Sequence, residues 1–231
     1  MKRERPVTGE IYHIYNRGVE KRDIFLSDED YSRFVHDLFE FNDINPAINL
    51  NYHFNQSSEV GLPKIKRRKR KLLVEIMAFC LMPNHFHLLA RQRVDGGITE
   101  FMRKLGTGYT NYFNQKYERV GALFQGKYKS VRLKKEAHFI YLPYYIHLNP
   151  LDLKFGKKYE KIIKNRKEAI KFLENYRWSS FPDYLGIKNF PSVTQRDFLN
   201  NFIGHPKQHK KSLFDLLENP KTEEMQELVL E

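Results

Sequence analysis

Cysteine is nearly absent: Cys80 is the single one in 231 residues. That excludes an intramolecular disulfide and any thiolate cage, so a metal site in this chain must draw on nitrogen and oxygen ligands. Set within the apolar run IMAFCLM, Cys80 reads as a small buried hydrophobe. No apolar run approaches the roughly 20 residues that span a bilayer, and the start MKRERPVTGE has no apolar core behind its charges. A cytoplasmic protein is expected. Acidic residues are also in deficit, with 28 Asp and Glu against 40 Lys and Arg, a formal charge of +12. Such a surplus suits a polyanionic partner, nucleic acid first and an acidic membrane surface second.

What is present is enough for a core. Hydrophobic residues make up 41% and aromatics 14%, which argues against disorder. The length fits one large domain, or an ordinary domain with a C-terminal appendage. EIYHIYNRG (10–18) is rich in β-branched and aromatic residues and reads as a strand ending in a turn. SDEDYSRFVHDLFEF (27–41) opens on a Ser cap with acids in its first turn and carries apolar residues at helical spacing. Residues 43–63 lack periodicity and read as a loop, and the loop with its basic run, 43–71, is longer than a hairpin approach requires, as an insertion would be. A strand is expected over 72–79, a turn at Met82-Pro83-Asn84, and a second strand over 85–92. A helix interrupted by Gly106 and Gly108 should follow over 98–119, then a strand over 122–133 and a helix over 135–150. The order β-α-β-β-α-β-α predicts an α+β fold, the split βαβ (ferredoxin-like or RRM-like) antiparallel sheet with helices on one face. Residues 1–155 would form the main domain, and 156–231 a basic helical extension.

Within the central hairpin, MPNHFHLL places His85 and His87 two apart. A strand alternates its side chains, so both imidazoles share one face about 7 Å apart, close enough to hold one divalent ion. An RNA-recognition sheet would instead carry an aromatic strand signature, and this strand offers His-Phe-His. Phosphodiester chemistry also needs a nucleophile and charge stabilisation at the phosphate. Tyr145 and Asn149 in the last helix are i and i+4, so their side chains share a face. The Asn149 carboxamide is then a third ligand, and the Tyr145 hydroxyl a nucleophile whose ionisation a nearby cation favours. Tyr141 and Tyr144 compete for that role, Tyr144 foremost, but only Tyr145 has an Asn one turn on. Pro143 lies two residues before Tyr145, where it removes a helix hydrogen bond.

YHIYNRG, MPNHFHLL and YIHLNP, in this order, resemble the single-tyrosine HUH transposases, and among them the REP-associated tyrosine transposases, over residues 8–150. A fainter likeness runs through RWSSFPDYLG. The resemblance implies Mg2+ or Mn2+ on His85 and His87, with Phe86 as the hydrophobic residue between them, and Asn149 completing the site. It implies attack by Tyr145 on single-stranded, hairpin-forming or repetitive palindromic DNA, giving a 5′-phosphotyrosine and a free 3′-OH. One tyrosine holds one covalent strand at a time, so full transposition calls for two subunits, although no residue pattern specifies a homodimer.

Simpler readings stand beside these. A repressor-like descendant that only binds hairpin DNA would keep the charge without needing the tyrosine and both histidines. The run Lys64, Lys66, Arg67, Arg68, Lys69, Arg70 and Lys71 is either a solvated cluster or a DNA-backbone contact. His147 lies roughly 200° around the helix from Tyr145 and reads as surface or secondary. Tyr109, Tyr112 and Phe113 read as helix core, and Trp178 as an anchor for the C-terminal segment.

Overall fold

The structure is a computed structural model that describes residues 4–46, 70–156 and 165–218. Its centre is a four-stranded antiparallel sheet of β1 (Ile11–Arg17), β2 (Val74–Met82), β3 (His85–Gln92) and β4 (Lys129–Arg132), in the order β2-β3-β1-β4. Pro83-Asn84 is the two-residue link of the β2–β3 hairpin, and it is braced from outside. The Pro83 carbonyl accepts from the Ile24 and Phe25 amides, and the Asn84 carbonyl accepts from the Gly18 amide.

Helices α1 (Asp28–Glu40) and α2 (Gly97–Lys116) back one face of the sheet. Ser27 and Asp30 form a capping box at the start of α1. The fully buried Asp30 carboxylate also accepts from Lys116 (2.7 Å), Tyr117 (2.7 Å) and Tyr112 (3.0 Å), joining the N-terminus of α1 to the C-terminus of α2. Burial alone would raise its pKa, but these bonds and that from the Leu26 amide hold it below the usual carboxylate range. Tyr109 and Phe113 are buried in this layer, as their spacing predicts.

Helix α3 (Glu136–Leu148) lies on the opposite face of the sheet, so that face is covered too. Leu142, Tyr144, Ile146 and Leu148 belong to one core with Ala78, Cys80 and Leu89 of the sheet and with the C-terminal helices. Those helices are α4 (Leu151–Phe155), α5 (Arg166–Asn175), α6 (Phe181–Tyr184), α7 (Asp197–Ile203) and α8 (Pro206–Glu218). A helix enclosed on two sides must be apolar nearly all round, as YLPYYIHL is. Cys80 is fully buried here, as expected.

Residues 176–195 run along the outer edge of β2. The Leu81 amide donates to the Trp178 carbonyl, Ser180 N to Phe79 O, and Gln195 N to Ile76 O. This closes an edge that would otherwise template intermolecular pairing. The Trp178 ring stacks on Tyr31 of α1 at 4.8 Å between centroids, so it anchors the segment as predicted.

Three local expectations need correction. The strand expected over 122–133 pairs as a strand only at Lys129–Arg132, because Gly126, at φ 119°, turns the chain out of extended geometry. The helix expected over 135–150 is present as α3, which runs through Pro143 to Leu148 with Asn149 as its C-cap. His147 is fully buried rather than at the surface, because the C-terminal helices cover that side of α3. Gly106 and Gly108 do not interrupt α2. Their roles differ: a Cβ at Gly106 meets nothing within 4 Å, whereas one at Gly108 would collide with the Phe41 ring at the end of α1. Gly106→Ala should therefore raise unfolding stability by about 0.5–1 kcal/mol, through helix propensity. Gly108→Ala should lower it by about 1–3 kcal/mol, through overpacking. Urea denaturation of the two variants checks the opposite signs.

Candidate active site

The strand register assembles the site on the α3 face of the sheet. His87 stands opposite Tyr15 of β1 and Cys80 of β2, and His85 stands opposite Arg17 and Met82. Directly paired residues in an antiparallel ladder project to the same side. His13, Tyr15 and Arg17 therefore line one row, and His85 and His87 the next. Phe86 and Leu88 point the other way, into the layer with α1 and α2.

Both histidines have one ring nitrogen engaged by a neighbour. His87 Nδ1 lies 2.9 Å from His13 Nε2 in a buried contact. His85 Nδ1 lies 2.6 Å from the Asn84 Oδ1, and Asn84 is steadied by its Nδ2 donating to the Lys21 carbonyl. The two rings stand edge to face at 5.0 Å between centroids. Burial pushes the His87 pKa well below its ordinary value, helped by the proximity of His13 and His85, and burial lowers that of His13 to about 3. Both are neutral imidazoles at pH 7, the form that can ligate a metal.

Across from this row, α3 presents Tyr145. Its ring stands edge-on to His87 at 5.5 Å and to His13 at 6.1 Å between centroids. Tyr144 is turned away into the C-terminal layer, where it is buried and stacks on His209 of α8 at 5.0 Å. Asn149 is largely buried at the end of α3, and its Nδ2 donates to the Tyr145 carbonyl at 2.8 Å. His85, His87 and Tyr145 thus come together, while Asn149 is tied to the group through the Tyr145 backbone. Lys64, Lys66, Arg67, Arg68 and Lys69 of the basic run lie outside the described residues. Arg70 sits over the Phe39 ring of α1 at 3.7 Å, and Lys71 is exposed.

Sequence reasoning missed His13, Tyr15 and Arg17. Alternation in YHIYNRG puts these three on one face of β1, but only the pairing of β1 with β3 shows which residues they meet. Lys129 of β4, opposite Tyr15, adds a cation 5.6 Å above the Tyr15 ring.

Residues 53–149 match the model of the family described as IS200-like transposases. The solved structure of a REP-associated tyrosine transposase bound to a REP hairpin aligns with a TM-score of 0.51. The alignment covers 85% of this chain and 92% of that one at 13% sequence identity, a likeness of fold. No curated protein matches. Among the described residues no helix is long and apolar enough to cross a membrane, and no group of three or more His, Cys, Asp or Glu side chains could hold a metal ion.

Proposed function

We propose, from the match of residues 53–149 to the model of the IS200-like transposases, that this chain nicks and rejoins single-stranded, hairpin-forming DNA through a covalent tyrosine intermediate. The observation that carries the reading is the edge-on packing of Tyr145 against His87 on the face where His85 and His87 stand together. Tyr145 Oη forms a bond to the scissile phosphorus as the bond to O3′ breaks. The phenolic proton passes to solvent, and the leaving O3′ takes one from solvent to depart as a 3′-OH. Attack by a 3′-OH on the phosphotyrosine reverses the exchange, so no nucleotide is consumed.

The residues present fit a divalent ion. His85 and His87 are held through Nδ1 by Asn84 and His13, an arrangement common around metal-ligating histidines. Two imidazoles and the Asn149 amide, without thiolate, would take a borderline divalent ion such as Mn2+ more readily than Mg2+, and Mg2+ is kept as the alternative that the family resemblance implies. When bound, the ion supplies charge stabilisation at the non-bridging phosphate oxygens. Residues 1–155 would be the catalytic unit, and the extension 156–231, with the basic run 64–71, would serve hairpin recognition and backbone binding in the cytoplasm.

Labelled single-stranded hairpin oligonucleotides with Mg2+ or Mn2+ test the reading on a denaturing gel. Wild type should cleave and carry the 3′-side fragment as a covalent adduct, while excess chelator, His85→Ala or His87→Ala should each abolish cleavage. Undiminished cleavage in chelator would remove the ion from the mechanism. The second reading, a non-catalytic hairpin binder, rests on the +12 charge alone. Tight hairpin binding with no cleavage under any divalent ion would favour it.

A further inference from the structure

We infer that His13 is a positioning residue that fixes His87 in the tautomer able to bind a divalent ion, by accepting the His87 Nδ1 proton on its own Nε2. The inference rests on the reading of His85 and His87 as metal ligands and adds a residue to it. A neutral imidazole carries its proton on one nitrogen and its lone pair on the other. A histidine whose Nδ1 is occupied by a neighbour can meet a metal only through Nε2, and that nitrogen must then be unprotonated. Two arrangements satisfy the 2.9 Å contact between His13 Nε2 and His87 Nδ1. If His13 donates, the His87 proton sits on Nε2 and blocks the metal. If His13 accepts, the proton sits on Nδ1 and the Nε2 lone pair is available.

The surroundings support a fixed partner rather than an incidental contact. His13 is 3% exposed and His87 fully buried, so water does not compete for the shared proton. The rings are nearly parallel, with an interplanar angle of 21°, and His13 is enclosed by Tyr15 at 4.9 Å and by the edge of Tyr145 at 6.1 Å. The backbone gives His13 little latitude, because β1 is a central strand and residue 13 pairs with Leu89 on one side and Val131 on the other. His85 is oriented by different means. Asn84 Oδ1 can only accept, so the 2.6 Å contact assigns the His85 proton to Nδ1 without ambiguity. His13 would give His87 the same tautomer, presenting both Nε2 lone pairs to one ion.

The experiment uses the full chain in two measurements. Nitrogen-15 NMR of the metal-free protein at pH 7 reads the histidine tautomers directly, and His87 should carry its proton on Nδ1. Titration with Mn2+, followed by loss of the free-ion EPR signal, should show His13→Ala binding about 10- to 100-fold more weakly than wild type. His13→Gln, whose amide oxygen can accept the same proton, should recover most of the loss. Discovery of the His87 proton on Nε2 would overturn the inference, as would unchanged Mn2+ affinity in His13→Ala. A His87 proton on Nδ1 in a wild-type chain that binds no Mn2+ would uphold the tautomer and instead sink the metal reading on which the proposed function depends.

Discussion

Replacing Tyr145 with Phe should eliminate the covalent protein–DNA adduct while leaving hairpin binding intact, whereas Tyr144→Phe should still form the adduct. Phe keeps the ring, so the edge-on contacts to His87 at 5.5 Å and His13 at 6.1 Å persist and only the attacking oxygen is lost. Adduct formation should fall by at least about a thousandfold, the scale on which loss of a nucleophile is felt. Tyr144 occupies the next position on α3 but faces the other layer, stacked on His209, and burial raises its pKa. A buried phenol turned from His85 and His87 has no access to a phosphate there, and burial disfavours its ionised form. Reaching the phosphorus requires Tyr145 Oη to come within roughly 3–3.5 Å of it in the productive complex. A denaturing gel with 5′- and 3′-labelled strands separates the outcomes. An adduct that survives Tyr145→Phe and vanishes in Tyr144→Phe would move the nucleophile by one residue and require α3 to rotate. Cleavage by wild type without any adduct would assign attack to water.

The second large effect is acid sensitivity of the layer that supports α3. His209 of α8 is fully buried among Tyr144 and His147 of α3 and Phe181 and Tyr184 of α6, with ring centroids 5.0–5.7 Å away. Neither of its nitrogens has a hydrogen-bond partner among the described residues. Burial lowers its pKa to about 4. His147, also buried, is pushed well below its ordinary value by burial and by His209, while its Nε2 meets the Ser180 hydroxyl at 2.9 Å.

Because the folded pKa of His209 is depressed, the unfolded chain takes up a proton first as pH falls. The contribution is fully present above about 6.5 and is lost between there and about 4. Going from pH 7 to pH 5 should remove about 2 kcal/mol through this residue. His209→Phe keeps a ring in the cluster and has no proton to gain, so its stability should fall less over the same interval, by that amount. Urea unfolding of both proteins at pH 7 and pH 5 gives the double difference, in which His13 and His87 cancel and the part of the His147 shift that His209 causes is included. A difference near zero would show that His209 is already hydrated or charged in the folded state. α8 packs on the helix that carries Tyr145, so its release would loosen the support of that side chain.

The sequence by itself determined the features that depend on local period. Alternation in HFHLL places His85 and His87 on one face of any strand it forms, and a four-residue spacing places Tyr145 and Asn149 on one face of any helix. Runs of β-branched and aromatic residues, Ser27 ahead of an acidic first turn, and the Pro-Asn turn mark the order of elements, hence an α+β fold on a split βαβ sheet. Local rules misjudged the places where a neighbour decides. Gly106 and Gly108 read as breaks, yet α2 passes through both, and Gly108 is small because Phe41 lies against it.

Tertiary structure alone decided which partners those faces meet. His13 is an unremarkable alternate residue until β1 pairs with β3 in a register that brings it within 2.9 Å of His87. Tyr144 and Tyr145 are neighbours of identical chemistry, and enclosing α3 between the sheet and the C-terminal helices decides which of them faces His87 and which faces His209. The same enclosure buries His147, which its position on an isolated helix would leave outside. Spacing along a chain constrains only which side chains share a face. Which face turns inward is set by contacts between residues far apart in sequence, whose pairing no local pattern encodes.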